Sequence, residues 1–367
     1  MSLTNDQIRA LSEAYRRYHS AQVEQLLGRL AAQGRGDSRL RATLKQFLSR
    51  SGKRMRPLLF LGSYHLFAGE KAIEERVLPV AFALECFHSF ILIHDDVIDR
   101  SLTRRGQPTL HRAFESELGI HRRTAESLAI VLGDLLFGYA VESFNRCEME
   151  RGLVEKALEY FLKVTEDTGL GEAQELLLLE KRLSEVEEAE IERVYHLKTT
   201  RYTIEAPLVL GAWLAGVGQD LRDGLSAYAQ PVGRAFQIEN DLHEVDLDPE
   251  QLSALAYDLQ TGVKTLFMKR LYDTLDEDAK QAVEEVVAPD GEVVSRDFAS
   301  MAGLIAGTGV RDDMDAEVKS AFGKARAIFG EDRWGEYRQG LHLIADWIEA
   351  HRHHSESSLR GTTAESV

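Results

Sequence analysis

Val80-Ala81-Phe82-Ala83-Leu84-Glu85-Cys86-Phe87-His88-Ser89-Phe90-Ile91-Leu92-Ile93-His94-Asp95-Asp96-Val97-Ile98-Asp99 is an apolar, helix-like run that ends in three carboxylates. On a helix, Asp95 and Asp99 project from one face about one turn apart, with Asp96 off to the side. Two carboxylates so aligned repel each other by about a few tenths of a kcal/mol even when exposed. Beside apolar neighbours the repulsion is larger unless a cation sits between them. A solvated helix end would carry the same letters, so the residues around the run decide its meaning.

Outward from this run the chain keeps one character. It has seven prolines in 367 residues and is rich in Leu, Ala, Glu and Arg. Ile8, Leu11, Tyr15 and Tyr18 recur at helical spacing near one end, as do Leu343, Ile344, Trp347 and Ile348 near the other. Strand-like alternation is hard to find, and Pro289-Asp290-Gly291 is the best, weak, site for a hairpin. The expected fold is all-α. Turn-forming residues place breaks at 33–38, at Gly106-Gln107-Pro108, near Gly169 to Gly171, at 246–249 and at 288–291. None is a long flexible linker, which predicts one domain over residues 1–350. From 351 to 367 the chain turns polar and loses periodicity, as a mobile tail would, and its His351, His353 and His354 read as solvated.

Composition bounds the function. Hydrophobic residues make up 44% and charged residues 28%, the balance of a folded chain. A net charge of −16 argues against nucleic-acid binding. Cys86 and Cys147 are the only cysteines, both in helix-like segments, and read as reduced, buried thiols of a cytoplasmic protein. No basic-then-apolar leader opens the chain, and no apolar run is expected to reach membrane-spanning length.

Basic residues gather beside the acidic ones. Arg100, Arg104, Arg105 and His111 follow the carboxylates directly, around a turn at Gly106 and Pro108. Carboxylates can hold Mg²⁺, which usually shares phosphate oxygens with a substrate, while guanidinium forks take the remaining oxygens. Upstream, Ser51-Gly52-Lys53-Arg54-Met55-Arg56-Pro57 is a possible anion cradle, with Pro57 placed to start a helix. By itself it is an ordinary basic loop. Downstream lies Phe236-Gln237-Ile238-Glu239-Asn240-Asp241-Leu242-His243-Glu244. There Asn240 and Glu244 share a helix face, with Gln237 one turn earlier. Glu172 and Glu175 form a further acidic pair, and Lys198 and Lys264 supply isolated cations.

Gly-Lys-Arg-Met-Arg-Pro at 52–57, Asp-Asp-Val-Ile-Asp at 95–99 and Arg-Arg-Gly-Gln-Pro-Thr-Leu-His at 104–111 resemble the trans-isoprenyl diphosphate (polyprenyl) synthases. Glu85-Cys86-Phe87-His88, Gly133-Asp134, Lys198-Thr199 and Phe236-Gln237-Ile238 match in the same order, so the resemblance spans roughly residues 50 to 270. It implies an antiparallel helical bundle around a deep central cavity, usually homodimeric. Two aspartate-rich motifs would face each other across the mouth and hold three Mg²⁺ on the allylic diphosphate. Carried over by position, Lys53, Arg56, His88 and Arg105 bind isopentenyl diphosphate. Arg104, Lys198 and Lys264 bind the allylic diphosphate and, with Asp95 and Asp99, are catalytic, while Thr199 and Gln237 also bind substrate. Asp95, Asp96 and Asp99 hold metal, joined by Glu175, Asn240, Asp241 and Glu244.

The chain departs from the pattern in two places. The second motif has Asn240 and Glu244 where the family has Asp, and Gly262-Val263-Lys264-Thr265 shifts the usual lysine by one. The implied reaction breaks the allylic C–O bond to release diphosphate, adds the isopentenyl double bond to the resulting cation, and ends with loss of a proton to the departing diphosphate. A terpene cyclase and a non-catalytic partner subunit are the alternatives. Lys53, Arg56 and His88 argue against the first, and the intact carboxylate triad against the second. Product length would be set by Phe87, Phe90 and Ile91. Ile91 is slimmer than the aromatic residue common in farnesyl-forming relatives, which points to a twenty-carbon, geranylgeranyl product.

Overall fold

The computed structural model describes residues 3–32, 37–104, 106–244, 263–286 and 307–352, which are helical almost throughout, as expected. They fall into two compact units, Met1–Leu158 with Leu210–Val217 and Gln339–Val367, and Glu159–Val209 with Gly218–Arg338. The boundaries at 158 and 209 lie inside helices Arg151–Leu179 and Ala206–Leu214, so no linker in the sequence marks them.

The first unit contains α1 (Asn5–Ala32), α2 (Ser38–Leu48), α3 (Met55–Ala68) and α4 (Leu78–Ile98). A ribbon of two-residue strands follows, β1 (Thr103–Arg104) and β2 (Gln107–Pro108), then α5 (Leu110–Leu118) and α6 (Arg122–Phe144). Pro79 sits in the first turn of α4, where its missing N–H costs nothing. Every residue from Leu78 to Phe87 is buried, because α4 contacts α1, α3 and α6. Small residues bring α6 close: Ala125, Ala129, Gly133 and Ala140 are all buried. A Cβ on Gly133 would lie 2.7 Å from the His94 ring. Gly340 gives helix Arg338–Arg352 the same close approach to Leu66 of α3.

Contrary to the expectation from sequence, α4 and α6 are long and apolar enough to cross a membrane, with mean hydropathies of 1.3 and 1.5. For α4 the reason is burial. A helix enclosed by others is apolar on all sides, and 61% of its apolar window is buried. In α6 that share is 39%.

The second unit takes in most of α7 (Arg151–Leu179), then α8 (Glu188–Val194), a π-helical stretch at Tyr195–Glu205, the start of α9 (Ala206–Leu214) and α10 (Gln219–Glu244). Helices Leu266–Thr274, Glu277–Val286 and Val310–Ile328 complete it. The break expected near Gly169 to Gly171 is absent: α7 runs straight through. Gly171 serves packing instead, since a Cβ there would come within 2.5 Å of the Lys198 backbone nitrogen. On α10, Leu225, Tyr228, Ala229, Val232, Ala235, Ile238 and Leu242 are buried. This stripe packs on the π-helical stretch and on helix Val310–Ile328. Tyr228 stacks on Phe329 at 4.3 Å between centroids, and Phe329 meets Trp334 edge-on at 5.3 Å.

The other breaks behave variously. α1 ends at Ala32 and α2 begins at Ser38, as expected. The turn at Gly106 closes the β-ribbon with a φ of 70°. The 246–249 and 288–291 breaks, the hairpin candidate and the tail from residue 353 lie outside the described residues. Helix Arg338–Arg352 carries past 350, and His351 stacks on Trp347 at 4.3 Å.

Candidate active site

The end of α4 is folded by local hydrogen bonds. Ser101 N–H donates to Asp96 O at 2.9 Å and Arg100 N–H to Val97 O at 3.2 Å, while Arg100 takes a left-handed φ of 55°. This paired closure of a helix end reverses the chain, with arginine where glycine would be unstrained. Thr109 then ties the ribbon back, its hydroxyl donating to Ser101 O at 2.9 Å. The reversal carries Arg104 onto the carboxylates. Its Nε donates to Asp96 Oδ1 at 2.7 Å and an Nη to Asp95 Oδ2 at 3.1 Å. Asp96 is 1% exposed, and burial raises its carboxyl to about 6 against the pull of Arg104. Asp95 and Asp99 are half-buried on the same helix face, as the spacing predicts. Arg50 donates to Pro108 O at 2.7 Å, so the loop after α2 also braces the ribbon.

Lys53 and Arg56 are half-buried beside the start of α3, and His88 is half-buried on α4. Lys53 Nζ donates to the carbonyl of His351. Between Lys53 and Arg56, Arg54 turns inward and pairs with Glu85 of α4. Arg105 lies outside the described residues.

In the second unit the π-helical stretch presents Lys198 to α7. Its ammonium pairs with Glu172 at 2.6 Å and with Glu175. Thr199 donates its hydroxyl to Gln237 Oε1 at 3.0 Å, and Gln237 Nε2 donates to Asp241 Oδ1 at 3.3 Å. The other Asp241 oxygen accepts from the Tyr195 hydroxyl, which itself accepts from Leu266 N–H at 2.8 Å. Asp241 is thus buried toward the π-helical stretch with both oxygens engaged. Asn240 is half-buried, and the Glu244 side chain lies outside the description. Lys264 is 4% exposed and donates to Leu179 O at 3.4 Å. Burial lowers its ammonium to about 8.

Among the described residues no three His, Cys, Asp or Glu side chains form a ready-made metal cage. Mg²⁺ does not require one, since one or two carboxylates with phosphate oxygens and water suffice. The end of α4 fits such an ion. Asp96 Oδ2 is buried without a hydrogen-bond partner, and the side chain of Arg104 pairs with both Asp95 and Asp96.

Below the aspartates, Phe87, Phe90 and Phe137 of α6 form an aromatic cluster, with centroids 5.9, 6.3 and 5.4 Å apart. Phe90 also meets the His94 ring at 4.6 Å. Phe87 is 1% exposed, while Phe90 and Ile91 are half-buried. Sequence reasoning missed Phe137 and Tyr195, and it grouped Arg54 with Lys53 and Arg56 as an anion cradle, whereas Arg54 pairs with Glu85. Phe137 lies one turn after Gly133 on α6, a cue that is visible only once α6 is known to pack on α4.

Residues 37–300 match the family model described as polyprenyl synthetase. The chain is 31% identical over 252 residues to a short chain isoprenyl diphosphate synthase of Methanocaldococcus jannaschii, covering 68% of this chain and 72% of that protein. It is 28% identical over 317 residues to a geranylfarnesyl diphosphate synthase of Aeropyrum pernix, covering 84% and 93%. A geranylgeranyl pyrophosphate synthase of Corynebacterium glutamicum, solved with isoprenyl diphosphate and magnesium, superposes with a TM-score of 0.79 at 26% identity, covering 91% and 98%. The expected resemblance holds: this chain belongs to the polyprenyl synthetase family.

Proposed function

We propose that this chain, a prenyltransferase by its family, condenses isopentenyl diphosphate with an allylic diphosphate and releases a twenty-carbon product. The carrying observation is the acid–base cluster at the end of α4, where Arg104 holds Asp95 and Asp96. Lys198 is held likewise by Glu172 and Glu175. A divalent cation on either carboxylate set would displace the basic group and free its donors for phosphate. Magnesium, three ions in this reading, would be held by these carboxylates and would supply the positive charge that the leaving diphosphate needs. Arg104, Lys198 and Lys264 orient the allylic diphosphate, with Thr199 and Gln237 fixing the π-helical stretch. Lys53, Arg56, His88 and Arg105 hold isopentenyl diphosphate so that its double bond meets the allylic carbon. The ligands are assigned to Asp95, Asp96 and Asp99 and, from the second motif, Asn240 and Glu244, with Glu175 and Asp241 supporting.

Phe87 is the floor in this reading, because it is the most buried member of the aromatic cluster and lies nearer the Asp95 face than Phe90. The reading includes a homodimer, supported by α6, whose Ile130, Val131 and Leu135 are 38%, 55% and 44% exposed and would be covered by a second copy. The free thiols Cys86 and Cys147 suit a cytoplasmic setting. The test is to incubate the protein with Mg²⁺, isopentenyl diphosphate and dimethylallyl, geranyl or farnesyl diphosphate and to size the products. Geranylgeranyl diphosphate is expected, and longer chains from Phe87→Ala. No condensation with any starter would overturn the reading.

A further inference from the structure

Arg54 is one of two non-glycine residues with a left-handed backbone among the described residues, with φ 49° and ψ 41° immediately before α3. Such a conformation is strained for arginine and persists only where the surroundings over-determine it. Here the side chain supplies that determination. The Arg54 guanidinium pairs with Glu85 of α4 and donates to Leu48 O at 3.2 Å and Arg50 O at 2.8 Å. One side chain therefore closes the 48–54 loop on itself, takes up a carbonyl at the end of α2, and bolts the loop to α4. Both partners are nearly withdrawn from water, with side-chain exposures of 16% and 8%.

Lys53 precedes this strained residue and Arg56 follows it by two, while His88 stands one turn after Glu85 on α4. We infer that the Arg54–Glu85 pair is a positioning device: it holds Lys53 and Arg56 in register with His88 for the diphosphate of isopentenyl diphosphate. This rests on the assignment of Lys53, Arg56 and His88 to that substrate. Three acceptors in different directions require a planar fork, which lysine cannot offer despite its equal charge. The pair touches no substrate in this scheme, so its effect must pass through its neighbours.

The experiment compares Arg54→Lys, Glu85→Gln and Lys53→Ala, each alone, with Arg54→Lys also combined with Lys53→Ala. The readouts are KM for each substrate, kcat and the far-ultraviolet dichroism. Arg54→Lys and Glu85→Gln should each raise KM for isopentenyl diphosphate about tenfold, the scale of one charge-assisted hydrogen bond. KM for the allylic substrate and the helical signal should stay as they were. The double variant should fall short of the product of its two single effects, because the residues act as a unit. If Lys53→Ala raises that KM while Arg54→Lys and Glu85→Gln leave it unchanged, the positioning role is overturned. Equal changes in both KM values, or full additivity in the double variant, overturn it as well. If Lys53→Ala itself leaves KM for isopentenyl diphosphate unmoved, the substrate assignment is what fails. A chain that loses its helical signal with lysine at 54 leaves Glu85→Gln to decide by the same split.

Discussion

The end of α4 and the junction of α10 with the π-helical stretch carry similar side chains but are held together in different ways. At α4, Arg104 reaches Asp96 across eight residues and Asp95 across nine, and Ser101 closes on Asp96 across five. At α10, Thr199 meets Gln237 across 38 residues, Tyr195 meets Asp241 across 46, and Leu266 meets Tyr195 across 71. The first motif is a local turn specified by one short stretch of the sequence, residues 95–109. The second is a relay whose members come from separate elements, so losing one hydroxyl loosens several of them.

The contrast breaks first at Asp95. In the proposed scheme Asp95→Ala removes a metal-binding oxygen, while the turn at Arg100 and the Arg104–Asp96 bond survive. Turnover should fall by about a thousandfold or more, roughly 4 kcal/mol of transition-state stabilisation. The dichroism spectrum should be unaltered. Near-normal turnover, or full activity in chelator, would remove the metal site from the end of α4.

Where α1 packs on the earlier turns of α4, His19 tests the packing rather than the chemistry. It is 7% exposed between Tyr15 and Phe82, and burial lowers its imidazole to about 4, with Arg54 adding to the shift and Glu85 opposing it. A base depressed on folding is bound more readily by protons in the unfolded chain. Stability is therefore full above the unfolded value of 6.5 and is lost as pH falls from there toward 4. The loss should approach about 3 kcal/mol, and His19→Gln should flatten that part of the denaturation-midpoint profile. An unchanged slope in the variant would place the acid sensitivity elsewhere.

Local construction also explains what the sequence made legible. The helix ending in Asp95, Asp96 and Asp99 and the turn at Gly106 are written in adjacent residues, so periodicity and spacing suffice. Gly171 misled as a breaker because its role, admitting the Lys198 backbone, depends on an element more than twenty residues away. Arg54 was read with its two basic neighbours, Lys53 and Arg56, as one anion cradle. Only Glu85, 31 residues on, distinguishes it from an ordinary loop arginine. Tyr195 gave no signal at all, since a tyrosine at helical spacing is most often plain core.

Tyr195→Phe sharpens the comparison at the relay. It leaves the ring in place but deprives Leu266 N–H and one Asp241 oxygen of the partner they share. A buried group left unsatisfied costs about 1–3 kcal/mol. Part of that cost should appear as a turnover lower by roughly tenfold and as a higher Mg²⁺ requirement. Thr109→Val, which removes the hydroxyl that donates to Ser101 O and lies 3.5 Å from Leu102 O and His111 Nε2, should cost less because the Thr109 and Ser101 backbone bonds remain. Larger damage from Thr109→Val than from Tyr195→Phe would reverse the ranking.

The smallest effect is expected where the second motif is made more like the first. Asn240 is half-buried on α10, four residues before Glu244 and next to Asp241. In the proposed scheme it is a neutral oxygen ligand, which adds less to a hard cation than a carboxylate does. Asn240→Asp supplies the missing charge at nearly the same size, so two opposed consequences should appear together. Without metal, the new carboxylate adds like-charge repulsion on α10, worth about a few tenths of a kcal/mol, and Tm in chelator should drop slightly. With Mg²⁺ and diphosphate the repulsion becomes attraction. The Mg²⁺ concentration for half-maximal rate should then fall a few-fold, under about 1 kcal/mol of tighter binding. The paired result matters more than either half, since a structural asparagine would show the lower Tm without the lower Mg²⁺ requirement. A loss of rate at saturating Mg²⁺ would mean that the neutral side chain is tuned for this site, and that the difference between the two motifs is functional rather than a weakening.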